Sequence, residues 1–338
     1  MKNLISVRPV LWFFVLFVLI SCRQGIKEEH FSGKALGTTY HIDIQGNGDE
    51  ITQKEIEELI AQINRSLSTY IPGSLISRIN RGEELKADEH FRYVFNEARK
   101  IYRATNGLYD PTIGILVNAW GFGPGKKIKN IEHDSTIVDS LKKYVGFDKV
   151  YIDQNGVVRK KYPQIFIDFN SIAKGYVIDK IGELISKKSY ENYIVELGGE
   201  VLAKGKNIKE NRPWIVAVDY PVAGSGHYAA DIKLFNKAIA TSGNYRKYRI
   251  DRKTGKKYVH TLHPKTGFPY QSNLLSASVL APNCTEADGW ATACMVSGFQ
   301  QARKYITENT RLEGLLIYAD SLGKIKIWQS DGIDIQKE

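Results

Sequence analysis

Short segments with alternating apolar and polar residues recur along this chain, and they constrain its fold more than any other feature. The clearest are residues 40–44, 193–204, 214–219 and 315–329. A strand with one apolar and one polar face packs on one side only, which is typical of antiparallel sheets. We therefore expect an α+β fold with mostly antiparallel sheets, rather than a doubly wound parallel sheet.

Four further segments carry apolar residues at helical spacing. They cover roughly residues 56–67, 91–102, 173–184 and 287–296. Apolar positions that recur with each helical turn give a helix one apolar face, and that face must pack against another element. We expect these helices to flank the sheets.

The first 21 residues have the character of an export signal. Lys2 and Arg8 give a positive start, and residues 10–20 form an unbroken apolar run. This run is shorter than the roughly 20 residues that a membrane-spanning helix needs. Because no other long apolar stretch follows, we expect the mature chain to be soluble apart from any anchor.

The apolar run ends in Leu19-Ile20-Ser21-Cys22, which has the form of a lipobox. In such a signal the cysteine thiol takes a diacylglycerol and becomes the first residue of the mature protein. An ordinary signal peptide with a chance cysteine is the alternative. We expect residues 1–21 to be a lipoprotein signal peptide, residues 22–30 a lipidated tether and residues 31–335 the folded domain.

Acyl chains on Cys22 would bind the protein to a membrane, because each buried methylene contributes about 0.8 kcal/mol. Several chains on one residue make this binding stable, whereas a single chain gives only marginal binding. We therefore predict a lipid-anchored protein of the cell membrane that faces the periplasm or the exterior.

Charge and cysteine usage narrow the possible functions. The net charge of +10 favours attraction to anions such as phosphates or lipid headgroups. No basic run is interleaved with aromatic residues and no zinc-finger spacing is present, so we expect no nucleic-acid binding. Cys284 and Cys294 are ten residues apart across a stretch that is predicted to be helical, which would keep them too far apart for a disulfide, and we expect two buried thiols.

Six segments concentrate small, hydroxyl-bearing and charged residues where a core would need bulk. They are residues 37–40, 67–80, 107–122, 168–179, 260–267 and 287–293. In the last, Asp288 and Thr292 are four residues apart on a predicted helix, so their oxygens share one face. Such hard oxygens suit Mg²⁺. The alternative is an ordinary helix start in which Thr285 is the cap.

The fourth segment places Ser171, Lys174 and several backbone N–H groups at the start of a predicted helix. Such a position attracts anions, although a capped amphipathic helix is the plainer alternative. Tyr70 and Tyr109 could stack on a planar ring system, but aromatic residues more often belong to a core. His263-Pro264-Lys265-Thr266-Gly267 is typical of a turn.

Taken in their order and spacing, these segments resemble the ApbE family of FAD-dependent protein FMN transferases. The resemblance extends from about Gly37 to Ala293, which is most of the mature chain. Its most specific pieces are Ser68-Thr69-Tyr70, Asp110-Pro111-Thr112-Ile113-Gly114, Ile172-Ala173-Lys174-Gly175, Gly198-Gly199, Ser242-Gly243-Asn244-Tyr245, Ala287-Asp288 and Thr292-Ala293.

The resemblance implies that FAD binds in a cleft between two interlocked subdomains. It implies a Mg²⁺ site formed by the side chains of Asp288 and Thr292 and the backbone carbonyl of Ala173. The residues implied to line the FAD site are Tyr70, Leu108, Tyr109, Asp110, Asp168, Ser171, Lys174, Gly175, His260 and Thr261. Relatives usually carry aspartate where this chain has His263, so any role of that aspartate must pass to His263 or lie elsewhere.

The implied reaction is the Mg²⁺-dependent transfer of FMN from FAD to a threonine or serine hydroxyl of a target protein, with release of AMP. A hydroxyl is a poor nucleophile, so the reaction needs neutralised phosphate charge and a base. Lys174 is the candidate cation, and either His260 or Asp288 could be the base. The target implied is an exported or membrane electron-transfer subunit.

Two other functions remain open. One is a Mg²⁺-dependent FAD pyrophosphatase, in which water replaces the protein hydroxyl and the products are FMN and AMP. The other is a non-catalytic flavin-binding lipoprotein. The pyrophosphatase would use the same residues as the transferase, so the sequence does not separate the two.

We expect Cys22→Ala to abolish membrane association, because the variant lacks the thiol that receives the acyl chains. The matched control is Cys294→Ala, which removes a predicted buried thiol and leaves the anchor intact. Immunoblots of membrane and soluble fractions provide the measurement. A Cys22→Ala protein that still sediments with the membranes contradicts the anchor.

Overall fold

The computed structural model describes residues 26–222, 226–244, 248–250, 254–255 and 257–335. The predicted signal peptide, Cys22 and Tyr245 lie outside these ranges. Within them, none of the helices combines the length and the apolar character needed to cross a membrane.

Strands and helices are interspersed along the chain. The strands are β1 Glu28–Ala35, β2 Thr38–Gln45, β3 Val150–Ile152, β4 Val158–Lys160, β5 Asn192–Leu197, β6 Glu200–Lys204, β7 Trp214–Asp219, β8 Tyr228–Leu234, β9 Lys237–Gly243, β10 Tyr248–Ile250, β11 Lys257–Val259, β12 Leu274–Ala281, β13 Glu313–Ala319 and β14 Ile325–Gln329. The helices are α1 Gln53–Leu67, α2 Leu75–Asn80, α3 Glu89–Ala104, α4 Gly114–Ala119, α5 Ser135–Lys142, α6 Ala173–Lys187, α7 Cys284–Ser297 and α8 Phe299–Glu308. Short 3-10 helices occupy Ile131–His133 and Phe147–Lys149.

One large sheet organises the fold. In the part of the chain described, it has eight strands in the order β1-β2-β5-β6-β9-β12-β13-β14, and every neighbouring pair is antiparallel. The remaining strands form the pairs β3-β4, β7-β8 and β10-β11. The expected α+β fold with mostly antiparallel sheets and flanking helices is confirmed.

The two ends of the large sheet differ. At the end where β1 begins, which we call the N-terminal end, Glu28 pairs with Gln45. At the opposite end, which we call the hairpin end, Ala35 pairs with Thr38 and the Gly198-Gly199 turn joins β5 to β6. Both glycines of that turn have positive φ angles, which side chains other than glycine rarely adopt.

Helix α6 runs along the sheet from one end to the other. At the hairpin end, the Lys174 ammonium pairs with the Glu200 carboxylate on β6. At the N-terminal end, the Asp49 N–H donates to the carbonyl of Lys188, just beyond the helix, at 2.9 Å. The first turn of α6 therefore lies at the hairpin end.

Two hydrophobic clusters cover opposite faces of the sheet, because successive side chains on a strand point to opposite faces. Leu202 packs with the main cluster, which includes buried residues of α1, α3, α6 and α7. Its neighbours Val201 and Ala203 belong to the cluster under β7-β8. A third cluster surrounds Trp120 between α4, α5 and the loop at Leu262.

Three boundaries or details differ from the sequence-based expectations. Strand β1 begins at Glu28, within the range 22–30 predicted as a tether. Helix α7 begins at Cys284, three residues before the predicted start, and its cap is the side chain of Asn283 rather than that of Thr285. Cys284 and Cys294 are buried free thiols, as expected.

Helices α6 and α7 approach each other closely at Gly175. A Cβ built on Gly175 would lie closer than 3.0 Å to the backbone carbonyl of Cys284, a separation that real Cβ atoms essentially never show. The colliding group is backbone and cannot rotate away. Gly175 therefore sets the distance between the two helices.

We expect Gly175→Ala to destabilise the protein by about 3 kcal/mol, because α7 must shift to make room for the methyl group. The control is Gly73→Ala at an exposed position with nothing within 4 Å of the added Cβ, which should change stability by less than about 0.5 kcal/mol. Urea unfolding measures both. Equal midpoints for the two variants would show that the helix contact tolerates a side chain.

Candidate functional site

Two side chains of α7 lie against the start of α6 at the hairpin end. One carboxylate oxygen of Asp288 accepts the Gly175 N–H at 3.0 Å. One turn later, the Thr292 hydroxyl lies 3.5 Å from the Ser171 carbonyl oxygen. These contacts fall on either side of Ala173. The structure thus brings the three predicted metal ligands into one region, formed by two separated stretches of chain.

Two buried carboxylates share one lysine beside this region. Asp288 and Glu200 are each 3% exposed. Burial raises the pKa of each of these two carboxyl groups above the ordinary value for its residue type. Burial lowers the pKa of Lys174, but the Asp288 and Glu200 carboxylates outweigh it and the net shift is upward. With all three groups ionised, the cluster carries one uncompensated negative charge.

This charge imbalance fits a cation. One oxygen of Glu200 is buried and has no hydrogen-bond partner among the residues described. Buried carboxylates of this kind are costly unless an opposite charge compensates them. The described residues contain no group of three or more His, Cys, Asp or Glu that could hold a metal. A cation here would therefore take hydroxyl and carbonyl oxygens beside Asp288, a donor set that suits Mg²⁺.

Asp179 fixes the position of α7 relative to α6. Its carboxylate accepts the backbone N–H groups of Cys284 and Thr285 at 2.7 and 2.8 Å, and the Thr285 hydroxyl at 2.5 Å. The first N–H groups of a helix have no partner within it, so Asp179 on one helix caps the other. Burial raises the pKa of Asp179 to about 6, although these hydrogen bonds oppose the shift.

The segment that leads into α6 joins the other predicted site segments. Asp168 accepts the Asn170 N–H at 2.8 Å, and the Asn170 amide donates to the Thr69 hydroxyl at 3.3 Å. The Ser171 hydroxyl donates to the Tyr109 hydroxyl at 3.0 Å. Burial raises the pKa of Asp168. Segments that are distant in sequence therefore converge before the first turn of α6.

The two candidate stacking residues differ in exposure. Tyr70 is 62% exposed and can present a ring face to a ligand. Tyr109 is only 2% exposed, and its hydroxyl is bonded to Ser171. Tyr109 belongs to the main hydrophobic cluster, so the alternative that it is a core residue describes its ring better than stacking on a ligand does.

Asp110 stabilises the turn that follows Leu108 and Tyr109. One of its oxygens accepts both the N–H and the hydroxyl of Thr112, at 2.8 and 2.6 Å. The Thr112 hydroxyl in turn accepts the Gly146 N–H at 2.7 Å. Burial raises the pKa of Asp110 to about 6. Half-buried Leu108 immediately precedes this pair.

The predicted histidine segment lies near the same end of the sheet. His260 directly follows β11, and the hydroxyl of the next residue, Thr261, donates to the Asn244 side chain at 2.6 Å. Ser242, two residues earlier at the end of β9, has its hydroxyl 3.5 Å from that of Thr292. These contacts connect the His260 loop to α7.

His263 belongs to a turn, as its sequence context predicts. Its carbonyl accepts the Gly267 N–H at 2.7 Å, and its N–H donates to the Phe268 carbonyl at 2.9 Å. Its ring packs edge-on against Tyr270. Burial and then the nearby Lys265 lower the pKa of His263, which favours the neutral ring.

Two residues with clear roles at the site were not assigned any from sequence. For Glu200, the one sequence feature that could have indicated a role is its position directly after the Gly198-Gly199 pair, at the start of a strand. For Asp179 the indication is weaker, because an acidic residue in the middle of a helix is usually exposed to solvent. Both act through partners that lie far away in the sequence.

Comparison with known proteins agrees with the resemblance found in the motifs. The profile of the ApbE family matches residues 36–316. A Haemophilus influenzae protein named FAD:protein FMN transferase is 36% identical over 336 residues, which cover 95% of this chain and 95% of that protein. A Vibrio cholerae protein of the same name is 33% identical and covers 89% of this chain and 91% of its own length.

Solved structures are similar as well. The flavin transferase ApbE from Vibrio cholerae has a TM-score of 0.81 and 31% identity, with 90% of this chain and 98% of that chain covered. The apo form of the Pseudomonas stutzeri flavinyl transferase ApbE has a TM-score of 0.78 and 26% identity, with 90% and 95% covered.

We expect Asp288→Asn to weaken Mg²⁺ binding roughly tenfold or more while the fold is retained. The amide oxygen can still accept the Gly175 N–H, and loss of a buried charge does not destabilise the metal-free protein. Titration calorimetry and the Mg²⁺-induced rise in unfolding temperature provide the measurements. The control is Asp139→Asn, at an exposed residue that pairs with Lys142. An unchanged Mg²⁺ response in Asp288→Asn excludes this carboxylate as a ligand.

Proposed function

Since this chain belongs to the ApbE family, we propose that it is a Mg²⁺-dependent FAD:protein FMN transferase. It would attach FMN from FAD to a threonine or serine hydroxyl of a target protein and release AMP. The observation that carries this proposal is the position of Asp288 and Thr292 on either side of Ala173, next to Lys174. A diphosphate needs this combination of hard oxygens for a metal and a nearby positive charge.

Mg²⁺ would be held by the side chains of Asp288 and Thr292 and the carbonyl of Ala173. When bound, it supplies positive charge to the diphosphate of FAD and makes AMP a better leaving group. Lys174 adds a second positive charge, since the adjacent carboxylates keep it protonated. Tyr70 offers an exposed aromatic face for a flat ring of the substrate.

In the proposed reaction, the target hydroxyl oxygen bonds to the FMN-side phosphorus. The bond from that phosphorus to the bridging oxygen breaks, and AMP leaves with the electron pair. The proton of the hydroxyl passes to the ring of His260. We assign this role to His260 rather than Asp288, because the Asp288 carboxylate is buried, one of its oxygens accepts the Gly175 N–H, and the group would also hold the metal.

We further propose that the enzyme is a lipoprotein, anchored through Cys22 and facing the periplasm or exterior. Its target would then be an exported or membrane electron-transfer subunit that carries covalent FMN. The lipobox sequence Leu19-Ile20-Ser21-Cys22 supports the anchor. The names of the two bacterial relatives support a protein as the acceptor.

The purified protein, incubated with FAD, Mg²⁺ and a candidate target, is expected to leave a fluorescent flavin on the denatured target and to release AMP. The bond is a phosphoester, so the flavin stays attached through denaturing electrophoresis. Mass spectrometry of the target should show the added mass of FMN on a peptide with threonine or serine. Removal of Mg²⁺ with a chelator should stop both labelling and AMP release.

Matched variants sharpen this test. Asp288→Ala should abolish Mg²⁺-dependent AMP release, whereas Asp139→Asn should retain it. Free FMN and AMP without any labelled target would instead identify a pyrophosphatase. Tight FAD retention without AMP release under any metal would identify a flavin-binding protein that is not an enzyme.

A further inference from the structure

The chain enters the fold at the end of the sheet that is remote from the candidate site. The Lys27 carbonyl accepts the Gly46 N–H at 3.0 Å, which ties the chain to the N-terminal end of the sheet. Glu28 then pairs with Gln45 as the first step of β1. Any anchor that precedes Lys27 must therefore pull on this end of the molecule.

The candidate site lies at the hairpin end. Helix α6 begins there, where Lys174 pairs with Glu200, and ends beside Asp49 and the N-terminal end. The 15 residues of α6 span about 21 Å at the helical rise. The eight residues of β1 give a similar length, about 23 Å along the strand. Both lengths indicate that the chain entry point and the site are more than about 20 Å apart.

We propose that the anchored protein stands on the membrane with the N-terminal end of its sheet, so that the candidate site at the hairpin end faces away from the bilayer. This inference rests on the anchor and the transfer reaction proposed above, and it adds a restriction on the partner. The acceptor hydroxyl must lie on a soluble part of the target, between about 20 and 40 Å above the membrane surface. A hydroxyl at the headgroup level of the membrane is out of reach.

The short reach of the tether is what imposes this restriction. Five peptide units join Cys22 to Lys27. Even when fully extended they span at most about 18 Å. In an inverted orientation, with the hairpin end against the membrane, Lys27 would have to rise by more than about 20 Å, which is beyond that reach. The tether length therefore excludes the inverted orientation.

Several lysines near the N-terminal end are paired with acidic residues, such as Lys188 with Glu55 and Lys209 with Glu28. Pairing of this kind weakens their attraction to an anionic membrane. The proposal therefore relies on the tether, and a longer tether should remove the restriction.

The orientation can be measured without any activity. Single fluorophores placed through Asn47→Cys, at the exposed N-terminal end, and Lys34→Cys, at the exposed hairpin end, report the height of each end above the bilayer. Cys284 and Cys294 are buried, so the label goes to the introduced thiol. On phosphatidylcholine vesicles with an acceptor dye at the headgroups, we expect strong energy transfer from position 47 and weak transfer from position 34. Equal transfer from both positions overturns the proposal.

Tether variants supply the matched controls. A flexible insertion of about 20 Gly and Ser residues between Gln24 and Gly25 adds a typical reach of roughly 25 Å, so the difference between the two labels should disappear. The Cys22→Ala protein should show no transfer from either label. If the native protein does not bind the vesicles, the proposed anchor and this proposal are both wrong.

The restriction on the partner is tested with a target that the solution assay has labelled. This target is attached to the same vesicles either directly or through a rigid helical spacer. The native anchored enzyme should label the raised target roughly tenfold faster or more, whereas the long-tether and Cys22→Ala enzymes should label both alike. Equal labelling of both targets by the native enzyme overturns the restriction. If the solution assay labels no target, the transferase proposal is wrong, and the two fluorophores still test the orientation.

Discussion

The balance of charge around Lys174 is the constraint on which the candidate site depends. Two carboxylates, Asp288 and Glu200, are buried beside one ammonium group, and burial makes their ionised forms costly. A protein core would avoid such a cluster, since an apolar packing of the same volume is usually at least as stable. Under the proposed function, a cation would offset the carboxylates and Lys174 would offset part of the charge of a diphosphate, so the proposed ligands would make this cluster favourable.

Local periodicity was sufficient to predict much of the fold. The alternating segment 214–219 coincides with β7, and 193–204 contains both β5 and β6. Alternation predicts these strands because the sheet carries different layers on its two faces. Several strands lie outside the predicted segments, including β1, β8, β9 and β12. Strand β12 shows no alternation, because almost all of its residues are buried between two hydrophobic clusters.

The sequence predicts the site only where the residues concerned are close together in the chain. Asp288 and Thr292 share a face because they are one turn apart on α7, and that relation follows from spacing alone. The contact between Lys174 and Glu200 joins a helix to a strand, and the contact of Asp179 with α7 spans 105 residues. Periodicity does not state which elements meet, so neither contact could be foreseen. The burial of Tyr109 is likewise a result of tertiary packing.

The close contact between α6 and α7 has a consequence for how the site can vary. At Gly175 the space that a side chain would fill is taken by the backbone of the facing helix. The smallest available change, one methyl group, already exceeds that space. The spacing of the two helices cannot be adjusted in small steps at this position. Changes that leave the helix pair in place are therefore more easily accommodated at exposed residues such as Tyr70 than at this contact.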